Sequence, residues 1–352
     1  MVLPMSNTIV ANLAPIMLAV LFAFLIAWGV VRAAIAYAHR RGLFDQPGQR
    51  RSHKIPTPRG GGIGIVIAVL ITLPLCLLQT ASPWPLHVVI TLWVAITLIA
   101  LIGWWDDHSS LPVLPRFGVQ ILAVALFSVA LMAGGPSWLW LPLWVLGGAW
   151  SVNLHNFMDG VDGLLAQQGM FVACGLAVLA WQIGQPTLAG AAFCVATACL
   201  GFWCYNRSPA RIFMGDVGSG AIGLLLFALT AMLWRLHWPL VWPALILSSA
   251  FVTDASLTLL LRMTGGRRWY TAHREHLYQW IVRRGHTHAV SVAWYLGWNL
   301  LVAAPMAALA WVKPGIGLLA CIVTYGIAAA VWLVTKRRLI RRDRYKVRHV
   351  HT

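Results

Sequence analysis

The run IVANLAPIMLAVLFAFLIAWGVV, residues 9–31, carries no charged residue over 23 positions. A straight helix crosses the hydrocarbon core of a bilayer with about 20 apolar residues, so this run is long enough to span. No basic leader precedes it and no small-residue cleavage site follows it, so it reads as a retained helix rather than a signal peptide. The rest of the chain has the same character. Of 352 residues 60% are hydrophobic and 10% charged, against about 25% charged in a soluble domain, which is too few to cover a water-facing surface. The 20 Trp suit a protein with two membrane–water interfaces to anchor. Apolar segments recur at 9–31, 61–80, 86–104, 117–134, 137–152, 164–182, 187–204, 218–234, 239–261, 289–311 and 315–335. The sequence therefore predicts an all-α integral membrane protein of about 11 transmembrane helices, a single polytopic domain over 1–352. Several segments are shorter than a straight span requires, so some helices are expected to be broken.

The net charge of +17 raises nucleic acid as a partner, and its distribution argues against one. With alternate loops assigned to opposite sides, every one of the 26 Lys and Arg except Arg235 and Lys313 falls on one side. By the positive-inside bias that side is cytoplasmic, with the N-terminus outside and the C-terminus in the cytoplasm. The six cysteines all lie in apolar segments without CxxC or Cys/His spacing, and read as small packing residues rather than a zinc site or a disulfide framework.

Acidic residues are scarce and grouped. The nine are Asp45, Asp106, Asp107, Asp159, Asp162, Asp216, Asp254, Glu275 and Asp343, and each falls on, or toward, the cytoplasmic side. A carboxylate at the centre of a bilayer costs about 2.5–3.5 kcal/mol on insertion scales, which makes such residues functional candidates. Acids that merely balanced the basic face would be scattered and paired at helical spacing. Instead they form clusters without an adjacent base, and grouped carboxylates call for a hard cation. GWWDDHSSLP (103–112) sets Asp106 and Asp107 just past the third span, a pattern that by itself also fits a solvated helix end. NLHNFMDGVDGLL (153–165) supplies Asn153, Asn156, Asp159 and Asp162, the first three near one helical face. Its spacing lacks the terminal Glu of an EF-hand. In RIFMGDVGSGAIG (211–223) glycines bracket Asp216 at the start of the eighth span, where free N–H groups suit a phosphate, although glycines also serve tight helix packing in membranes.

Two basic loops complete the set. RMTGGRRWYTAHREHLYQWIVRRGHTH (262–288) carries Arg267, Arg268, His273, Arg274, Glu275, His276 and Gln279; its arginines suit a pyrophosphate. RRSHKIPTPRGGG (50–62) combines Arg50, Arg51, Lys54 and Arg59, and fits phosphate contact and membrane anchoring equally.

Taken in chain order, WWDD (104–107), NLHNFMDGVDGL (153–164), FMGDVGSG (213–220) and AHREHLYQ (272–279) resemble the polyprenyl-phosphate N-acetylhexosamine-1-phosphate transferases of glycosyltransferase family 4. The resemblance puts the family core at about 45–335 and leaves a basic cytoplasmic tail at 336–352. Eleven spans resemble the members that initiate O-antigen chains more than the ten-span members of peptidoglycan synthesis. The family's histidine-rich run stands here as His273-Arg274-Glu275-His276, similar to the branch that uses UDP-N-acetylglucosamine or its 6-deoxy relatives of FucNAc or QuiNAc type.

The resemblance implies that a UDP-HexNAc and undecaprenyl phosphate give undecaprenyl-pyrophosphoryl-HexNAc and UMP, at the cytoplasmic face of the bacterial inner membrane, to begin O-antigen or another surface polysaccharide. Phosphoryl transfer depends on positioning and charge stabilisation. Mg²⁺ or Mn²⁺ on Asp216 and Asn156 would neutralise the diphosphate. Asp106, Asp107 and Asp159 are the expected catalytic carboxylates, and Asp159 and Asp162 also suit the uridine. Asn153, Asp162, Lys54, Arg267, Arg268, His273 and His276 are the expected substrate-binding residues. Membrane lipid is a further partner, nucleic acid is not, and a homodimer is compatible with the reading. A cation- or proton-coupled secondary transporter is the rival, one that would place its acids mid-bilayer as Asp254 alone is placed.

Overall fold

The structure is a computed structural model that describes residues 7–42, 44–45, 56–79, 83–109, 111–133, 136–267 and 273–350. Lys54 and Arg268, two of the residues expected to bind substrate, lie outside the described residues. The described chain is almost wholly helical: α1 Asn7–Arg41, α2 Ile63–Leu77, α3 Leu86–His108, α4 Val113–Met132, α5 Leu141–Phe157, α6 Leu164–Gln182 and α7 Pro186–Asn206. It continues with α8 Asp216–Leu236, α9 Val241–Leu247, α10 Ser249–Thr264, α11 Leu277–Arg283, α12 His288–Trp298, α13 Ala304–Val312 and α14 Gly317–Val350. A two-residue antiparallel pair, β1 Phe44–Asp45 and β2 Thr57–Pro58, sits between α1 and α2.

Each apolar segment read from the sequence falls on helix. Among the described residues eight helical stretches are long and apolar enough to cross a membrane, or nine if the segments Trp238–Leu247 and Ser249–Thr264, bent by 73°, form one broken span. Two of the eleven apolar segments fall on shorter helices, α2 with 15 residues and α5 with 17. At 1.5 Å per residue they reach only about 23–26 Å, short of a hydrocarbon core of about 30 Å. A π-helical turn, Asn299–Ala303, joins α12 to α13 in one stretch.

The helices are packed as membrane helices are. On α1 most buried positions are small, Ala19, Ala23, Ala27 and Ala38 beside Ile16 and Val31, while Leu18, Leu21, Phe22 and Leu25 are exposed. That is the reverse of a soluble amphipathic helix. Small residues let backbones approach, and large apolar side chains on the outside are at home in lipid. Helix α8 is the centre of the bundle, 94% buried along its span, and packs against α2, α3, α5 and α6. Its contact with α2 is made backbone to backbone. A Cβ built on Gly62 would lie 2.3 Å from the Cα of Gly218, so only glycine fits there. The same approach lets the chain before α2 run beside the chain before α8. Phe213 N–H donates to the Pro58 carbonyl (2.8 Å), Gly61 N–H to that of Phe213 (2.9 Å), and Gly62 N–H to that of Met214 (2.9 Å).

On the other side of the bundle, α10, α12 and α14 enclose Asp254, which is 1% exposed. Its carboxylate accepts from the Tyr295 hydroxyl (2.6 Å), Trp332 Nε1 (2.7 Å), the Leu277 N–H (2.8 Å) and Thr258 Oγ1 (3.2 Å). A buried polar group needs partners of this kind, and these bonds tie the start of α11 to α10, α12 and α14.

Gly62→Ala forces α2 and α8 apart. Overpacking of this kind costs about 1–3 kcal/mol, so the detergent-solubilised variant should melt several degrees below the parent. An unchanged melting temperature would contradict the close contact.

Candidate active site

Three carboxylate motifs far apart in sequence meet at one end of the bundle. Helix α3 ends in Asp106 and Asp107, α5 ends just before Asp159 and Asp162, and α8 begins at Asp216. Gly215, at φ +77°, turns the chain into α8 in a conformation that L side chains rarely adopt. A helix start leaves N–H groups without intrahelical partners. Here Asp107 receives two of them from across the bundle: its Oδ1 accepts from Asp216 N–H (2.9 Å) and its Oδ2 from Val217 N–H (3.2 Å). Two arginines then link the acids. Arg59 reaches Asp107 Oδ1 through Nε (2.9 Å) and Asp216 Oδ1 through Nη2 (3.0 Å). Arg116 Nη1 contacts Asp106 Oδ2 and lies 3.1 Å from Asp216 Oδ2. Asp106 also accepts from the Leu111 N–H at 2.7 Å.

A polar cleft of about 290 Å³ opens over this group, lined among others by Asn156, Asp159, Asp162, Asp216, Arg59 and Gln279. Asp159 is half-buried at its wall. Burial first, then the negative charge of Asp216, pushes its carboxyl up to about 7. Asn156 donates from Nδ2 to Ser219 Oγ at 3.0 Å, so its carbonyl oxygen is the atom a cation would use. Asp162 holds the cleft together: Oδ2 accepts from the Ala210 N–H (3.2 Å) and Oδ1 lies 3.1 Å from His288 Nδ1. Asn206, at the end of α7, accepts from the Gly163 N–H (2.8 Å) and donates to the Ile212 carbonyl (2.9 Å). A larger cleft of about 660 Å³, with Val30, Ala34, Tyr37, Ile63 and Trp104 in its wall, shares Arg59 and Asp45 with the first.

The remaining expected residues stand elsewhere. Asn153 donates to Gln120 Oε1 (2.7 Å) and to the Ala149 carbonyl (2.8 Å), and is absent from the wall of either cleft. His276 is 3% exposed, stacked between Phe157 and Tyr278, and 3.9 Å from Asp254. Burial holds its imidazole below the ordinary histidine range, and that of His273 down to about 4. Arg267 pairs with Glu275 at 2.8 Å, which also meets Arg262. The loop reaches the cleft through Gln279 instead, and Tyr278 fixes its position by donating to the Phe157 carbonyl at 2.9 Å. Arg116, Asn206, Phe213 and His288 belong to the site without standing out in the sequence. Arg116, in the first turn of α4, reads in the sequence only as one of the charges that set topology.

The acids imply a divalent cation, and the donors can be tested against one. Among the described residues no group of three or more His, Cys, Asp or Glu could hold a metal ion, so a cage made by protein alone does not fit. Magnesium, however, is commonly held by one or two carboxylates together with waters and substrate phosphate oxygens. Asp216 and the Asn156 carbonyl are hard oxygen donors on the wall of one cleft, and they fit a cation shared with a substrate.

The chain is similar to known proteins over most of its length. The profile of Glycosyl transferase family 4 matches residues 89–234, which carry three of the carboxylate motifs. The decaprenyl-phosphate N-acetylglucosaminephosphotransferase of Mycobacterium tuberculosis (strain CDC 1551 / Oshkosh) is 30% identical over 347 residues, covering 85% of this chain and 84% of that protein. The corresponding protein of Mycobacterium leprae (strain TN) is 28% identical over 349 residues, 85% of this chain and 86% of that one. A phospho-N-acetylmuramoyl-pentapeptide-transferase of Moorella thermoacetica is 32% identical over 265 residues, 65% of this chain and 78% of that one. Likeness over most of the length, with the shared segment centred on the gathered carboxylates, makes this chain a member of glycosyl transferase family 4, the polyprenyl-phosphate N-acetylhexosamine-1-phosphate transferases.

Proposed function

We propose that this chain transfers an N-acetylhexosamine-1-phosphate from a UDP-HexNAc to undecaprenyl phosphate, releasing UMP, and so begins O-antigen or a related surface polysaccharide. The observation that carries the reading is the meeting of Asp106, Asp107, Asp159 and Asp216 with two arginines at the start of a buried helix. That end of the bundle would face the cytoplasm of the inner membrane, with the N-terminus outside and the basic end of α14 against anionic lipid. The nucleophile is a lipid phosphate and the electrophile a soluble diphosphate, so their meeting point has to lie at a membrane surface. The sugar is inferred from the His273-Arg274-Glu275-His276 run alone.

In this reading the polar cleft takes the UDP moiety. Asp162, Asn206 and the backbone they hold keep its wall rigid, and Asp159 beside them suits an N–H of the uracil. Arg59 and Arg116 supply forked donors for phosphate oxygens. Mg²⁺ or Mn²⁺, held by Asp216 with Asn156, would supply charge neutralisation for the diphosphate and the departing UMP. Asp107 orients the first turn of α8 and, with Asp106, keeps negative charge where an incoming phosphate can leave a proton. A transporter is disfavoured, because Asp254, among the described residues the acid that lies well inside an apolar segment, is closed off by four donors.

The direct assay uses purified protein in nanodiscs with undecaprenyl phosphate and UDP-N-acetylglucosamine, or its 6-deoxy analogues, labelled at the β-phosphorus. Label should move to the lipid as UMP appears, stop with EDTA and resume with Mg²⁺ or Mn²⁺. Full turnover after exhaustive chelation would remove the cation from the account. Asp216→Asn should lower the rate at least about a hundredfold without altering the melting temperature much. Asp107→Asn should do the same and also cost about 1 kcal/mol of stability, because the residue caps α8. Near-parental turnover in both would remove the proposed centre. With its pKa at about 7, Asp159 is protonated below neutrality and ionised above. If the carboxylate is the working form, kcat/KM rises through pH 7, and Asp159→Asn loses that limb. An identical profile in the variant would exclude Asp159 as its source.

A further inference from the structure

Arg59 has two features that a simple membrane anchor does not need. Its guanidinium is forked between the two carboxylates at the start of α8, 2.9 Å from Asp107 and 3.0 Å from Asp216. It also lines both clefts, so there is open volume on either side of it. The backbone beneath is held tightly. The flanking Pro58, Gly61 and Gly62 are bonded to Phe213 and Met214, and Gly62 abuts Gly218. The side chain, about one third exposed at 35%, is therefore the part free to move.

We propose that Arg59 is an exchangeable counter-ion: it neutralises Asp107 and Asp216 in the free protein and passes to a substrate phosphate when a divalent cation takes its place. This rests on the cation of the proposed function and adds an order to its binding. An ion held on Asp216 Oδ1 at the usual magnesium distance of about 2.1 Å stands within about 5 Å of the Arg59 guanidinium. At that separation like charges repel, and they do so more strongly in a partly desolvated site than in water. The cation alone is thus poorly received. A diphosphate reverses the balance, because its negative charge gives Arg59 a new partner while the cation takes the carboxylates. Forked geometry suits either role, since a guanidinium pairs bidentately with carboxylate and with phosphate alike. Cation and nucleotide then bind cooperatively, and by linkage each tightens the other by the same factor.

The test reads cation binding rather than turnover. Mn²⁺ is titrated into nanodisc-embedded protein with and without UDP, and free Mn²⁺ is followed by electron paramagnetic resonance. UDP should tighten Mn²⁺ binding to the parent about tenfold or more. Arg59→Gln should bind Mn²⁺ alone about tenfold more tightly than the parent and lose most of the UDP effect. Arg59→Lys, a point charge that cannot fork between both carboxylates, should fall between the two. Should Arg59→Gln prove too unstable to purify, the order of lysine against arginine decides. UDP-dependent Mn²⁺ binding that neither substitution alters would overturn the exchange and leave the proposed function standing. No Mn²⁺ binding by any form, even with UDP, would overturn both.

Discussion

The first turn of α8 carries the demand on which the rest of the molecule depends. A helix buried along nearly its whole length starts with N–H groups that need partners, and it starts with an acid, Asp216. Asp107 meets the N–H groups, and a carboxylate is well placed there because the helix dipole is positive at its start. That arrangement brings two negative charges side by side, which is tolerable only with positive charge between them. Arg59 and Arg116 supply it. Packing follows the same demand, since the chain leading into α2 must come close enough to deliver Arg59, and the contact between Gly62 and Gly218 is what allows this.

Membership of glycosyl transferase family 4 gives this cluster a chemical meaning. Transfer of a phosphoryl group needs charge placed against oxygens more than it needs a covalent partner. In the proposed reading, acids that gave up an arginine to a phosphate and took a shared cation in its place would let arginine and cation together neutralise a diphosphate without a permanent metal cage. The polar cleft is small and rigid, with Asp162, Asn206 and Tyr278 spent on holding its wall. The Asp254 network serves the same end from the other side by fixing where α11 begins.

Much of this is legible in the sequence, and the exceptions have physical reasons. Apolar runs locate the helices, because a lipid-facing helix cannot be disguised. They do not by themselves fix the number of spans, because hydrophobicity does not distinguish a short apolar helix such as α2 from a long one. Asp107, Asp159 and Asp216 stand out because acids are rare here and cluster in motifs. Arg59 fits phosphate contact and membrane anchoring equally from its motif, and Arg116 reads only as a topology charge. A basic residue in a basic loop looks the same whether it faces lipid or a carboxylate. His276 has the motif of a substrate ligand, yet it lies buried between Phe157 and Tyr278. Nothing in the order of residues reveals that Gln279, three positions on, lines the cleft.

The central claim is that a diphosphate meets a cation at the start of α8. The most direct measurement is an experimental structure with UDP and Mn²⁺, the metal located by its anomalous signal. The account predicts the metal on Asp216, the diphosphate between it and Arg59, and the uracil in the cleft beside Asp159 and Asp162. Metal found away from Asp216, or UDP bound outside that cleft, would contradict it.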